Sequence, residues 1–147
     1  MIALIQRVTV SWVKIEDKEI ARIGKGYNIL LGVMQDDTPE DIQKLVKKIC
    51  NLRIFPDENM RFDKNILQVE GEILVVSQFT LAGNIKRGNR PDFSAAMEPK
   101  RAKKLYELFC KELAKKVPVQ KGEFGAMMEV GIINDGPVTI IADSKKL

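Results

Sequence analysis

A two-residue alternation at the start of the chain places the strongest constraint on its fold. Over residues 2–15 nearly every second side chain is apolar, which predicts a strand with one buried and one solvated face. The apolar face is predicted to carry Ile2, Leu4, Val8, Val10 and Trp12. The opposite face is predicted to carry Arg7, Thr9 and Ser11. Two turns then lead to strands at 19–23 and 27–33, so a three-stranded meander is expected.

Two helices are predicted after these strands. Thr38 is a good N-cap, and a proline, two acidic residues and an apolar stripe at helical spacing follow it. A second helix is predicted from Pro99 to about Lys116, with one apolar face and one lysine-rich face that solvent is expected to cover. Residues 53–65 are predicted to form a loop, and residues 72–76 a strand.

The last third of the chain is predicted to hold a strand at 127–133, a tight connection at 134–137 and a closing strand at 138–141. We therefore expect an α+β fold, in which a mostly antiparallel, curled and barrel-like sheet forms the core and two long helices flank it. With no linker or repeat, residues 1–147 are predicted to form one domain.

The chain contains no histidine, which removes several kinds of chemistry. It can build neither a Ser-His-Asp nor a Cys-His nucleophile, nor a His-x-Glu zinc site, and no metal site is predicted. Cys50 and Cys110 are too far apart for a CxxC pair and both fall on predicted helices, so each is expected to be a small buried apolar residue.

Other features of the composition concern location and partners. Few cysteines, no signal-peptide pattern and no apolar stretch of membrane length predict a cytoplasmic protein that does not enter a membrane. The net charge of +4 is compatible with a polyanionic partner, although abundant Lys and Glu fit an ordinary solvated surface equally well.

A long segment between Ala82 and Glu98 shows no periodic pattern, and loops of this length in compact domains are often functional. It carries three basic residues around a glycine, namely Lys86, Arg87 and Arg90. If this loop lies beside an active site, its cationic side chains would suit a phosphate-bearing substrate. The alternative is an exposed polar loop whose charges only maintain solubility.

Two short motifs place hydroxyl or backbone groups where apolar strands open into turns: Ser-Gln-Phe-Thr-Leu at 77–81 and Asn-Asp-Gly-Pro-Val-Thr at 134–139. Thr80 is a candidate nucleophile, but a neutral hydroxyl needs an adjacent base. Alternatively, the hydroxyls of Ser77 and Thr80 satisfy neighbouring backbone groups, or the strand end supplies N–H donors as an oxyanion hole. Gly136-Pro137 either forms an ordinary turn or aims two successive carbonyls in one direction.

Together with residues 1–8 and 88–93, these motifs closely resemble the D-aminoacyl-tRNA deacylase family, and the resemblance covers essentially the whole chain. It implies a homodimer, with active sites at the subunit interface and no metal or organic cofactor, that hydrolyses the ester between a D-amino acid, or glycine, and the 3′ end of tRNA. It also implies a cis Gly136-Pro137 bond that enters the neighbouring subunit's pocket and screens chirality. The alternative from another class is a non-catalytic nucleic-acid-binding homodimer.

The resemblance also implies roles for single residues. Either the threonine matching Thr80 is the nucleophile or the 2′-hydroxyl of the RNA assists, and the missing histidine favours the second mechanism. In that mechanism Ser77 and Gln78 shape the site, the backbone at Phe79 and Thr80 stabilises the oxyanion, and Phe124 lies near the terminal adenine. The three basic loop residues are expected to contact tRNA phosphates.

Overall fold

A computed structural model describes all residues from Met1 to Leu147 and confirms the α+β class. The strands are β1 (Ile2–Ile15), β2 (Lys18–Ile23), β3 (Gly26–Gly32), β4 (Phe55–Pro56), β5 (Phe62–Lys64), β6 (Glu72–Ser77), β7 (Val119–Lys121) and β8 (Glu129–Asp143). The α-helices are α1 (Pro39–Asn51) and α2 (Pro99–Ala114), and 3₁₀ turns lie at Phe79–Ala82 and Ser144–Lys146. Neither α-helix is long and apolar enough to cross a membrane.

Strand β1 organises the six-stranded sheet. One edge of β1 pairs with β3 and β2, and its other edge pairs with β8. Strand β6 follows β3, and β7 follows β6. The first half of β1 pairs antiparallel with β3, and its last five residues pair antiparallel with β2. The predicted meander is therefore wrong, because β1 is long enough to hold both later strands on one edge. Strands β6 and β7 add in parallel, so the sheet is mostly, not wholly, antiparallel.

The predicted faces of β1 are wrong at most positions, although Val8 is buried and Thr9 is exposed as expected. Its fully buried or nearly buried side chains are Ala3, Ile5, Arg7, Val8, Ser11 and Val13, whereas Ile2, Leu4, Val10 and Trp12 are half-buried. At the start of the strand both faces are apolar, so the two-residue period could not say which one meets the helices. The ladder with β8 then shifts register between Gln6 and Val10, and this shift breaks the phase of the alternation.

Two hydrophobic cores lie on the two faces of the curled sheet. The larger has 25 buried residues, among them Ile29, Ile49 and Phe109, and packs the sheet against both helices. The smaller has six, including Val13 and Leu74, and lies where β2 curls towards β6 and β7. The predicted barrel-like curl is thus present, although the sheet is not fully closed.

The segment predicted as a loop at 53–65 contains a short antiparallel hairpin, β4–β5. Phe55 in β4 is fully buried and stacks on Tyr27 with ring centroids 5.3 Å apart. Two strands of two and three residues are too short to show a periodic pattern, so only this tertiary contact reveals them.

The C-terminal prediction is corrected in the same way, because the chain does not turn back at 134–137. Strand β8 continues to Asp143 and pairs with β1 on both sides of the motif. Gln6 pairs with Thr139 and Val8 with Asn134, so residues 135–138 bulge out of the ladder opposite Arg7. The motif is a bulge in a long strand.

Two fully buried tyrosines provide a matched test of this packing. The hydroxyl of Tyr106 donates to the carbonyls of Gly122 (2.8 Å) and Val75 (3.2 Å), whereas the hydroxyl of Tyr27 has no protein partner. We expect Tyr106→Phe to lower the free energy of unfolding by about 1–3 kcal/mol, because it removes the buried donor of the Gly122 carbonyl, whereas the Val75 carbonyl still accepts from the Gly122 N–H at 2.9 Å. Tyr27→Phe should leave it unchanged or raise it. Urea unfolding of both variants checks this, and a larger loss for Tyr27→Phe would contradict the assignment.

Candidate active site

A cleft of about 670 Å³ opens where β6 ends. The N–H of Gln78 extends the β3–β6 ladder by donating to Leu31 at 2.8 Å, and the chain then enters the 3₁₀ turn Phe79–Ala82. Gly32 of β3 must pass close beneath this turn: a Cβ there would lie 3.0 Å from the Leu81 Cβ and 3.2 Å from the Gln78 carbonyl oxygen. The close approach of the turn to β3 therefore depends on a glycine at position 32.

The cleft brings together four of the residues singled out from the sequence. Ser77, Gln78 and Phe79 form one part of its lining, and Phe124, which lies after β7, forms another. The Phe124 ring packs against Tyr106 of α2 with centroids 5.7 Å apart, so α2 holds this aromatic in place. Most of the lining is apolar, which suits a planar, weakly polar ligand group.

Sequence reasoning missed the wall of the cleft opposite β6. The rings of Phe93 and Phe79 pack edge to face with centroids 5.2 Å apart. Met97, Glu98 and Ala102 continue the wall into α2. Backbone hydrogen bonds hold this segment against the end of β3, including one from Met97 N–H to the Val33 carbonyl at 3.0 Å. The segment has no periodic pattern, so only its pairing in the fold identifies it.

Thr80 follows Phe79 in the 3₁₀ turn and is exposed, but it is not one of the residues that line the cleft. Its hydroxyl oxygen accepts a hydrogen bond from the side-chain amide of Gln78, which is a donor and not a base. The only titratable side chain lining the cleft is Glu98, and its carboxylate caps α2 by accepting from the N–H groups of Lys100 and Arg101. No residue of the cleft is therefore placed to activate the hydroxyl.

The two cysteines are buried in the helices, as the sequence predicts, and neither lines the cleft. Burial raises the pKa of the Cys110 thiol to about 12 and also raises that of Cys50. A thiol that is protonated and inaccessible is a poor nucleophile. No three His, Cys, Asp or Glu side chains come together in an arrangement that could hold a metal ion.

Gly136 and Pro137 lie outside this cleft, on the exposed bulge of β8. The peptide bond between them is cis, as the resemblance implies, and Gly136 has a φ of +124°. Arg7 holds the bulge from beneath: its Nε donates to the Asp135 carbonyl at 3.1 Å, and Nη1 donates to the Ile54 carbonyl at 2.6 Å. The sequence placed Arg7 on the solvated face, although one arginine among apolar neighbours was an available signal.

One chain does not bring its two motifs together. By register, Ser77 lies level with Leu31 and Ala3, whereas the bulge lies opposite Arg7. That difference is about 13 Å along the strands, and the three strand spacings from β6 through β3 and β1 to β8 add about 14 Å across the sheet. The Gly-Pro pair therefore cannot contact the cleft of its own subunit.

The basic loop begins beside the cleft. A two-way backbone pairing between Asn84 and Asp92 closes it, and Phe93 of the cleft wall follows directly. Its tip carries Lys86, Arg87 and Arg90, which are exposed and form no ion pair with a carboxylate.

We expect both thiols to resist alkylation in the folded protein. At pH 8, iodoacetamide should modify neither Cys50 nor Cys110 within the time that modifies both in guanidinium, because burial keeps the thiolates from forming and the reagent from entering. Mass spectrometry of the two samples measures this. Rapid labelling of the native protein would show that one helix opens.

Comparison with known proteins gives consistent matches over the whole chain. Residues 4–143 match the family model described as D-Tyr-tRNA(Tyr) deacylase. A D-aminoacyl-tRNA deacylase of a Nitratiruptor species is 71% identical over 147 residues and covers 100% of both chains. One of Persephonella marina is 56% identical with the same coverage.

Two solved structures are similar as well. One is described as a c-Myc DNA unwinding element binding protein, with a TM-score of 0.92 and 41% identity over 97% of this chain and 98% of that one. The other is described as a probable eukaryotic D-amino acid tRNA deacylase, with a TM-score of 0.82 over 96% of this chain and 97% of that one. Its 18% identity supports a shared fold alone.

Proposed function

The chain belongs to the D-aminoacyl-tRNA deacylase family, whose members hydrolyse an ester bond, and we propose that it removes D-amino acids and glycine from tRNA with the help of the RNA itself. The observation that carries the mechanism is that the cleft of about 670 Å³ beside Ser77 contains no base for a protein nucleophile. The proposed place of action is the cytoplasm, where charged tRNA is found.

In this reaction a water oxygen attacks the ester carbonyl and the bond to the 3′ oxygen of the terminal ribose breaks. The 3′ oxygen takes a proton, which the adjacent 2′-hydroxyl can relay, and the products are tRNA and the free amino acid. The developing oxyanion would meet the N–H groups of Phe79 and Thr80, because the first N–H groups of a helical turn have no acceptor within it. Ser77 and Gln78 would shape the site, and the terminal adenine would pack beside Phe124.

The proposal includes a homodimer in which each subunit completes its partner's site. Supporting it, Gly136 and Pro137 are exposed and far from their own cleft. The outer edge of β8 pairs with no strand and exposes Ile133 and Ile141. A second copy covering this edge would carry the Gly-Pro carbonyls into the neighbouring cleft.

There, the two carbonyls of the Gly-Pro pair would accept hydrogen bonds from the amino group of a D-aminoacyl ester and leave no room for the side chain of an L-amino acid. Selectivity would then arise by exclusion. Glycine has no side chain to exclude, so glycyl-tRNA would be hydrolysed too.

The competing function is nucleic-acid binding without catalysis, and the DNA-binding description of the 41% identical structure favours testing it. Purified protein in excess chelator should hydrolyse D-aminoacyl-tRNA and glycyl-tRNA, with L-aminoacyl-tRNA as the control that stays intact. Release of labelled amino acid measures this. Tight tRNA binding without release of amino acid would establish the competing function.

The role of Thr80 can be separated from that of the RNA. We expect Thr80→Ala to keep its single-turnover rate within about tenfold, whereas a substrate with a 2′-deoxy terminal ribose should lose several powers of ten, each worth about 1.36 kcal/mol of barrier. Thr80→Ser, which keeps the hydroxyl, is the control. A folded, tRNA-binding Thr80→Ala enzyme without activity would support the covalent mechanism instead.

Gly136 offers a test of the chirality screen. A Cβ at this position would lie 3.0 Å from Val138 Cγ2 and 3.1 Å from Arg7 Nη2, at a φ of +124° that side chains disfavour. We expect Gly136→Ala to lower kcat/KM for D-aminoacyl-tRNA at least tenfold, because the carbonyls are displaced.

The matched control for the chirality screen is Gly88→Ala, compared by the ratio of D- to L-aminoacyl-tRNA hydrolysis because Gly88 lies on the basic loop that is expected to contact tRNA. It also has a positive φ, +66°, but its Cβ would meet nothing within 4 Å. Kinetics with D- and L-aminoacyl-tRNA compare the two variants. Full activity and full selectivity in Gly136→Ala would remove this residue from the screen.

A further inference from the structure

Basic side chains flank the cleft wall at both of its ends. The wall runs from Phe93 to Ala102 and includes Pro99, the first residue of α2. The basic loop, with its tip at residues 86–90, precedes the wall. The exposed residues Lys100, Arg101, Lys103 and Lys104 follow at its other end, on the first turns of α2.

The charges at the start of α2 are not explained by the stability of the helix. Its first turn contains no acidic residue, although negative charge is favourable at a helix N-terminus and positive charge is not. In the same chain α1 follows the favourable pattern, with Glu40 and Asp41 in its first turn. At the N-terminal end of α2, only the carboxylate of the N-cap residue Glu98 offsets the positive charge.

The carboxylates of α2 do not neutralise these side chains either. Glu107 pairs with Lys121, and Glu112 pairs with Lys115, both in the C-terminal half of the helix or beyond it. No ion pair involves any of the four basic residues between positions 100 and 104. They form an exposed, unpaired positive surface beside the cleft.

We propose that this surface of α2, extended by the basic loop, binds the phosphate backbone of the tRNA acceptor stem while the aminoacylated 3′ end enters the cleft. The inference rests on the proposed function and adds the orientation of the RNA. Lys100 and Lys104 are one helical turn apart, about 6 Å, so α2 presents a row of charges. A row matches a duplex backbone, in which phosphates also follow one another, better than it matches a single anion.

The test compares two variants that each remove two exposed lysine charges. Lys103→Gln/Lys104→Gln changes the proposed surface, and the control is Lys111→Gln/Lys116→Gln, with one lysine in the last turn of α2 and the other just after the helix. Binding is measured by fluorescence anisotropy between 50 and 200 mM salt with a labelled RNA hairpin that ends in a single-stranded CCA, conditions over which phosphate contacts change affinity strongly. Hydrolysis of D-aminoacyl-adenosine, which has no stem, is measured in parallel.

We expect the Lys103/Lys104 variant to bind the hairpin roughly tenfold more weakly, with the slope of log affinity against log salt reduced by almost two, since each lost phosphate contact removes about 0.9. The control should change affinity less than twofold. Both variants should hydrolyse D-aminoacyl-adenosine at the wild-type rate and remain fully folded at the assay temperature, which circular dichroism measures.

Equal losses in the two variants, or an unchanged slope in the Lys103/Lys104 variant, would overturn the inference. The inference would also be overturned if the Lys103/Lys104 variant lost as much affinity for a single-stranded CCA oligonucleotide as for the hairpin, because the stem would then play no part. Failure of the wild-type protein to hydrolyse D-aminoacyl-tRNA would overturn the proposed function instead, and the hairpin measurements would still decide where RNA binds.

Discussion

The backbone ladder of β1 is the constraint on which the rest of the structure depends. One strand of 14 residues pairs with β8 along one edge and with β3 and β2 along the other, so three strands take their register from it. Because β6 aligns on β3, the same ladder also fixes the level at which the 77–81 motif leaves the sheet. A slip of one residue in β1 would exchange the two faces and displace both motifs.

Arg7 is the point at which this ladder and the bulge depend on each other. Its side chain is only 8% exposed, and a buried guanidinium is tolerated only when its donors are satisfied. The Asp135 carbonyl and the Asp135 carboxylate, 3.3 Å from Nε, supply partners for Nε, and the Ile54 carbonyl supplies one for Nη1. The bulge thus satisfies a buried charge at the same time as it exposes Gly136.

The cleft differs from the surroundings of Arg7 because it holds no buried charge. It is largely apolar, and its one carboxylate caps α2. An environment of this kind can orient a substrate and stabilise charge through backbone N–H groups, but it cannot generate a strong nucleophile from its own side chains. Under the proposed mechanism, that division accounts for a hydrolase family member that has no histidine.

Local patterns in the sequence determined the helices, the buried cysteines, the α+β class, the strand that ends at Ser77 and the resemblance that the family match confirms. Each of these depends on near neighbours in the chain, through helical periodicity, capping or a contiguous motif. Only the tertiary structure decided the buried face of β1, the partner of β3, the β4–β5 hairpin and the bulge within β8. It also decided that Arg7 is buried and that the wall from Phe93 to Ala102 faces Ser77. Those features arise from pairing between distant segments, and a side-chain alternation cannot specify which distant edge a strand will meet.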